Sequence, residues 1–185
     1  MLHHAHDEEA GHHGADSDHE DEDGGLDPHI WLSPILVKSQ ARVILTALQN
    51  ADPAQAAVFK ANYDQFMQQV DDLDAGLRKT FSGKAGLSFM VFHPSWGYFA
   101  ADYGLRQIPI ELEGKNPKPA QLQALIQEAR KKGINVIFVQ PQFSAKSAGL
   151  IARAISGQVV SADPLARDWM ANLQKVAEAF KAALR

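Results

Sequence analysis

The sequence predicts an α/β fold in which a long helix precedes an α/β sandwich lobe with a four-stranded, mainly parallel sheet. Two patterns carry that prediction. Phe59, Tyr63, Phe66, Val70, Leu73 and Leu77 recur at alternating steps of four and three, the spacing of one helix face. From Ser82 onward, short apolar runs alternate with amphipathic stretches, as strand-helix-strand units do.

The elements follow in order. Ser33-Pro34 is a cap followed by proline at the first helical position, and Val37, Ala41, Ile44, Leu45 and Leu48 continue at helical spacing, so a helix is expected over 34–50. Asp52-Pro53 repeats the start signal and opens a helix over 53–80. At ~1.5 Å per residue that helix is roughly 40 Å long, against ~30 Å for the diameter of a small domain. It is therefore expected to bridge two bodies; the alternatives are a helix lying along one elongated domain and a coiled-coil partner helix, for which two heptads are few. Strands are expected at 87–92, 106–112, 134–139 and 158–161. Helices are expected at 95–102, at 117–132 ended by Gly133, at 144–156 with Gly157 just beyond its end, and at 164–184.

Composition narrows the chemistry. The chain has no cysteine, which excludes disulfides, thiolate zinc sites, iron–sulfur clusters and cysteine nucleophiles. No apolar run approaches the ~20 residues of a membrane span. The net charge of -4 is unevenly spread: residues 1–23 hold nine acidic and no basic side chains, leaving 18 basic against 13 acidic in the rest. His3, His4, His6, His12, His13 and His19 lie in this acidic segment, which has no apolar periodicity and is expected to be a disordered loop over 1–25. Imidazoles and carboxylates at that density suit a low-affinity trap for divalent transition metals; the other reading is a solvated polar tail. No basic stripe is interleaved with aromatics, which disfavours nucleic acid.

Three side chains stand out beyond the tail. His93, in Phe92-His93-Pro94-Ser95-Trp96, and Asp163, in Asp163-Pro164-Leu165, each follow a predicted strand, and ligands of parallel sheets gather at the strands' carboxyl edge. His29 sits in Asp27-Pro28-His29-Ile30-Trp31, where proline stiffens the backbone before a capped helix. Asp163 has a second reading as the cap of the last helix, and a lone histidine is ordinarily a satisfied loop residue. Two imidazoles and a carboxylate suit Zn²⁺, with one tetrahedral position left over. Trp31, Trp96 and Tyr98 adjoin these residues and are read either as a dry surround for the metal or as core, and Glu111 is a further candidate for that surround. The same donor set describes a zinc-dependent hydrolase, whose general base would be Glu111 or Glu113. An ordinary strand-end carboxylate is the other reading of both, and no HExxH, GxSxG, phosphate-loop or dinucleotide motif is present.

The order of the His-rich acidic segment, Asp27-Pro28-His29-Ile30-Trp31-Leu32-Ser33-Pro34, the long helix, Phe92-His93-Pro94-Ser95-Trp96, Glu111-Leu112-Glu113-Gly114-Lys115 and Asp163-Pro164-Leu165-Ala166 resembles the zinc-binding solute-binding proteins of bacterial ABC importers, the ZnuA-like cluster A-I family. The resemblance implies two α/β lobes joined by a rigid helix, with the metal between them. On that pattern residues 26–51 are the end of the first lobe, 52–81 the linking helix and 82–185 the second lobe. It implies His29, His93 and Asp163 as metal ligands and a further ligand from a first lobe that precedes the His-rich segment. Histidine at 93, where manganese relatives tend to have glutamate, points to Zn²⁺ over Mn²⁺. The implied partner is an ABC-transporter membrane permease, and the implied location is periplasmic or extracellular, in a lipoprotein-like parent. No export signal opens this chain. An adhesin-like metal-binding protein is the other function the resemblance admits. If the first lobe is missing, the helix over 34–50 is expected to expose an apolar patch and self-associate.

Overall fold

The computed structural model describes residues 26–111 and 114–184. Two helices lead. Helix α1 (Pro34–Ala51) starts at Ser33, whose hydroxyl accepts from Leu36 N. A 3-10 turn (Pro53–Gln55) then intervenes before α2 (Ala56–Thr80), so the second helix begins three residues later than its proline suggests. At 25 residues it is about 38 Å long. Its C-terminal half buries Val70, Leu73 and Leu77, and Val43, Ile44, Leu48 and Val58 on this helix pair stay exposed.

The lobe follows as β1 (Ser88–Val91), α3 (Gly97–Asp102), β2 (Arg106–Pro109), α4 (Pro119–Lys131), β3 (Val136–Val139), α5 (Lys146–Ala154), β4 (Gln158–Ser161) and α6 (Trp169–Ala183). The four strands pair in the order β2-β1-β3-β4, all parallel. Alternate residues of the central strands feed opposite faces, as the two-residue period of a strand requires. Phe89, Val91, Val136 and Phe138 pack with Leu73, Leu77, Phe99, Leu173 and Phe180 on one side. Met90, Ile137 and Val139 pack with Ile126, Ala129, Ala148 and Ile151 of α4 and α5 on the other. The result is a three-layer sandwich, and each fully buried Phe contributes about 1.5–3 kcal/mol of apolar burial.

Several boundaries differ from expectation by a few residues, two of them for evident local reasons. The last helix begins at Trp169, because the carboxylate of Asp168 accepts from Ala171 N and caps it; residues 164–167 form a loop instead. At the end of α5 the left-handed residue is Ser156 (φ 54°), not Gly157. Gly157 is needed for another reason: a Cβ there would stand 2.3 Å from the Asn135 carbonyl oxygen.

Candidate metal centre

Parallel strands place all their carboxyl ends on one edge, where the candidate residues gather. The chain leaves β1 at His93, β2 at Glu111, β3 at Gln140 and β4 at Asp163. Since β1 lies between β2 and β3, His93 falls between Glu111 and Gln140. Glu111, 4% exposed, pairs through Oε1 with His93 Nδ1. Gln140, 1% exposed, grips the His93 backbone from the other side: its Oε1 accepts from His93 N at 3.2 Å and its Nε2 donates to His93 O at 2.6 Å. The same amide nitrogen reaches Ser95 Oγ at 3.0 Å.

His29 arrives from outside the sheet. Asp27 Oδ1 accepts from His29 N at 2.9 Å and lies 2.6 Å from His29 Nδ1, a local turn in which one carboxylate holds both backbone and ring. His29 leads into a 3-10 turn (Ile30–Leu32) that two indoles stitch to the β4–α6 loop. Trp31 Nε1 donates to Pro164 O at 2.9 Å, and Trp169 Nε1 donates to Trp31 O at 2.7 Å. Buried Ser33 then donates to Asp102 Oδ2 at 2.6 Å. Burial pushes the Asp102 carboxyl above its ordinary range, with the Ser33 bond opposing that shift.

These supports bring His29 Nε2 to 3.3 Å from His93 Nε2, the ring centroids 5.1 Å apart at 76°. Each Nδ1 faces a carboxylate, which draws the ring proton there and leaves the Nε2 lone pair outward. The two Nε2 atoms thus face one another. Among the described residues no group of three His, Asp or Glu side chains is arranged to hold a metal, so Asp163 does not join the two imidazoles in such a group. Its Oδ1 accepts from Gln142 Nε2 and from Leu165 N, both at 3.0 Å, and the cap of α6 is Asp168 instead.

The other candidates separate. The Trp31 ring lies 5.3 Å from His29, so it adjoins the site. Trp96 is fully buried between Phe99 and Phe180 and belongs to the core rather than to the metal's surround. Tyr98 is half-buried and makes no hydrogen bond or ring contact with either imidazole. The tail histidines, Leu112 and Glu113 lie outside the described residues. Asp27, Gln140, Gln142 and Phe143, whose ring stacks on His93 at 4.8 Å, were not singled out by sequence. The one signal available for them was position: Asp27 two residues before a histidine, the others just past a strand end.

Residues 2–183 match the family model for the periplasmic component A of the zinc-uptake complex, ZnuA. The chain belongs to that family. It is a family of zinc-uptake components rather than of enzymes, which sets the hydrolase reading aside. The chain is 30% identical over 135 residues to the high-affinity zinc uptake system protein ZnuA of Bacillus subtilis, covering 72% of this chain and 42% of that protein. With the zinc-binding protein AdcA of Streptococcus pyogenes it shares 31% identity over 163 residues, 83% of this chain and 32% of the relative. A ZnuA crystal structure superposes with a TM-score of 0.84 at 43% identity, covering 86% of this chain and 62% of that one. The chain thus spans less than half the length of these two curated relatives.

Proposed function

We propose that this chain is part of a zinc-capturing solute-binding protein that delivers the ion to an ABC importer permease in the periplasm, with His29, His93 and Asp163 as protein ligands. The separation of the two Nε2 atoms supports this most directly. A tetrahedral zinc with Zn–N bonds of about 2.0–2.1 Å sets its two imidazole nitrogens about 3.3–3.4 Å apart. The observed 3.3 Å matches that span. Asp27 and Glu111 add negative charge beside the rings without occupying Nε2. Asp163 lies next to Pro164, to which Trp31 is bonded, so its loop is tied to the segment that carries His29. The remaining position falls to water or to a donor outside the described residues, and α2 is the element to join this lobe to another.

Calorimetric titration tests the reading, using the full chain with its six tail histidines replaced by Asn. One tight zinc event, abolished by His93→Ala and by His29→Ala, is expected. Zinc uptake that disappears with the tail histidines, and is indifferent to His93, would defeat it.

A further inference from the structure

The turn after β3 touches two of the proposed ligands at once. Phe143 N donates to Gln140 O at 3.1 Å and closes a four-residue turn over 140–143. Its base is Gln140, buried and fastened to both backbone polar groups of His93. Its tip is exposed: Pro141 and Gln142 face solvent, and Phe143 is 39% exposed although its ring lies at 19° to the His93 ring. From the same tip Gln142 Nε2 reaches Asp163 Oδ1 at 3.0 Å.

We propose that Gln142 and Phe143 are positioning residues that set how long zinc is retained: one exposed turn holds the His93 ring and the Asp163 carboxylate together, and displacing its tip loosens both. This rests on the ligand reading above. The physical ground is the contrast between base and tip. Gln140 cannot move without leaving buried polar groups unpaired. Residues 141–143 are held by few buried contacts, the kind of segment that opens at little cost in free energy. Phe143 limits the tilt of His93, and Gln142 leaves Asp163 Oδ2 as the oxygen to turn toward a metal. A long helix that resists wide lobe opening makes a local release of this kind the economical route.

Zinc dissociation into excess chromogenic chelator, followed by stopped flow on the full chain with its six tail histidines replaced by Asn, tests this. Phe143→Ala and Gln142→Ala should each speed release about tenfold, within the range for outer partners of metal ligands. Phe143→Tyr, which keeps the stack, should release at the parent rate. The double alanine variant should fall short of the product of the singles, because both act through one turn. With cobalt(II) in place of zinc, Gln142→Ala should shift the visible absorption band, which a lower folded fraction would only weaken. Parental release rates in both alanine variants, while His93→Ala still abolishes binding, would overturn this inference and leave the ligand reading standing. Release from Phe143→Tyr as fast as from Phe143→Ala would overturn it as well. Zinc binding indifferent to His93→Ala would remove the ligand reading and this inference together.

Discussion

His29 and His93, 64 residues apart in the chain, face each other through Nε2 at 3.3 Å because each ring is held at Nδ1 by its own carboxylate. The carboxylates come from different sources. Asp27 is local to His29, whereas Glu111 reaches His93 only through the neighbouring strand β2.

The Glu111 carboxylate is expected to matter for zinc without touching it. Glu111→Ala should weaken zinc binding by about 10- to 100-fold, since a ligating imidazole loses both orientation and basicity. Glu111→Gln, which keeps an acceptor and removes the charge, should cost less. Competition titration against a chelator of known affinity measures both, and equal affinity in all three proteins would show that His93 needs no partner.

Asp27 can be perturbed from a distance. A Cβ at residue 97 would stand 2.8 Å from Asp27 Oδ2, the movable end of a side chain, so Gly97→Ala should push that carboxylate away from His29. Zinc affinity is expected to fall about tenfold while the melting midpoint hardly changes. Unchanged affinity would mean that the Asp27–His29 contact does not orient the ring.

Asp102 predicts a pH signature. It packs beside Ser33 of the α1 cap and beside Asp74, Arg78 and Tyr103, and burial is the main reason its proton is held above the ordinary value of 3.8. The folded state therefore binds more protons than the unfolded one in this window. The contribution of this group favours folding below 3.8 and is lost as pH rises through the higher folded value. Asp102→Asn keeps an oxygen acceptor for Ser33 and removes the titration. The stability of the parent relative to this variant should decline across that window in urea titrations, whereas parallel curves would contradict the assignment.

Two glycines should respond in opposite senses to alanine. At Gly157 a Cβ meets the Asn135 carbonyl oxygen at 2.3 Å, a backbone atom that cannot swing aside, so Gly157→Ala should destabilise by about 1–3 kcal/mol. At Gly76, within α2, a Cβ meets nothing within 4 Å, so Gly76→Ala should stabilise by about 0.5–1 kcal/mol. Chemical denaturation of the two variants checks the pair.

Much of the fold was legible along the chain because its determinants are local. The cap at Ser33, the apolar spacing from Phe59 to Leu77 and the apolar run at 87–92 are short-range patterns, and the structure follows them to within a few residues. Boundaries slipped where a competing local signal won, as at Asp168 over Pro164. Two imidazoles were also legible as a pair of candidates, since residue type and strand-end position suffice to nominate them. The strand order was not, because it is set by which crossovers pack on which face of the sheet and leaves no mark in any one segment. That order alone puts Glu111 on one side of His93 and Gln140 on the other. The sequence by itself thus determined the elements and the donor types. The tertiary structure decided which side chains hold those donors: it gave Glu111, already nominated beside the metal, His93 as its partner, and it brought in Gln140 and Phe143, whose role comes from proximity across the sheet and not from their chemistry.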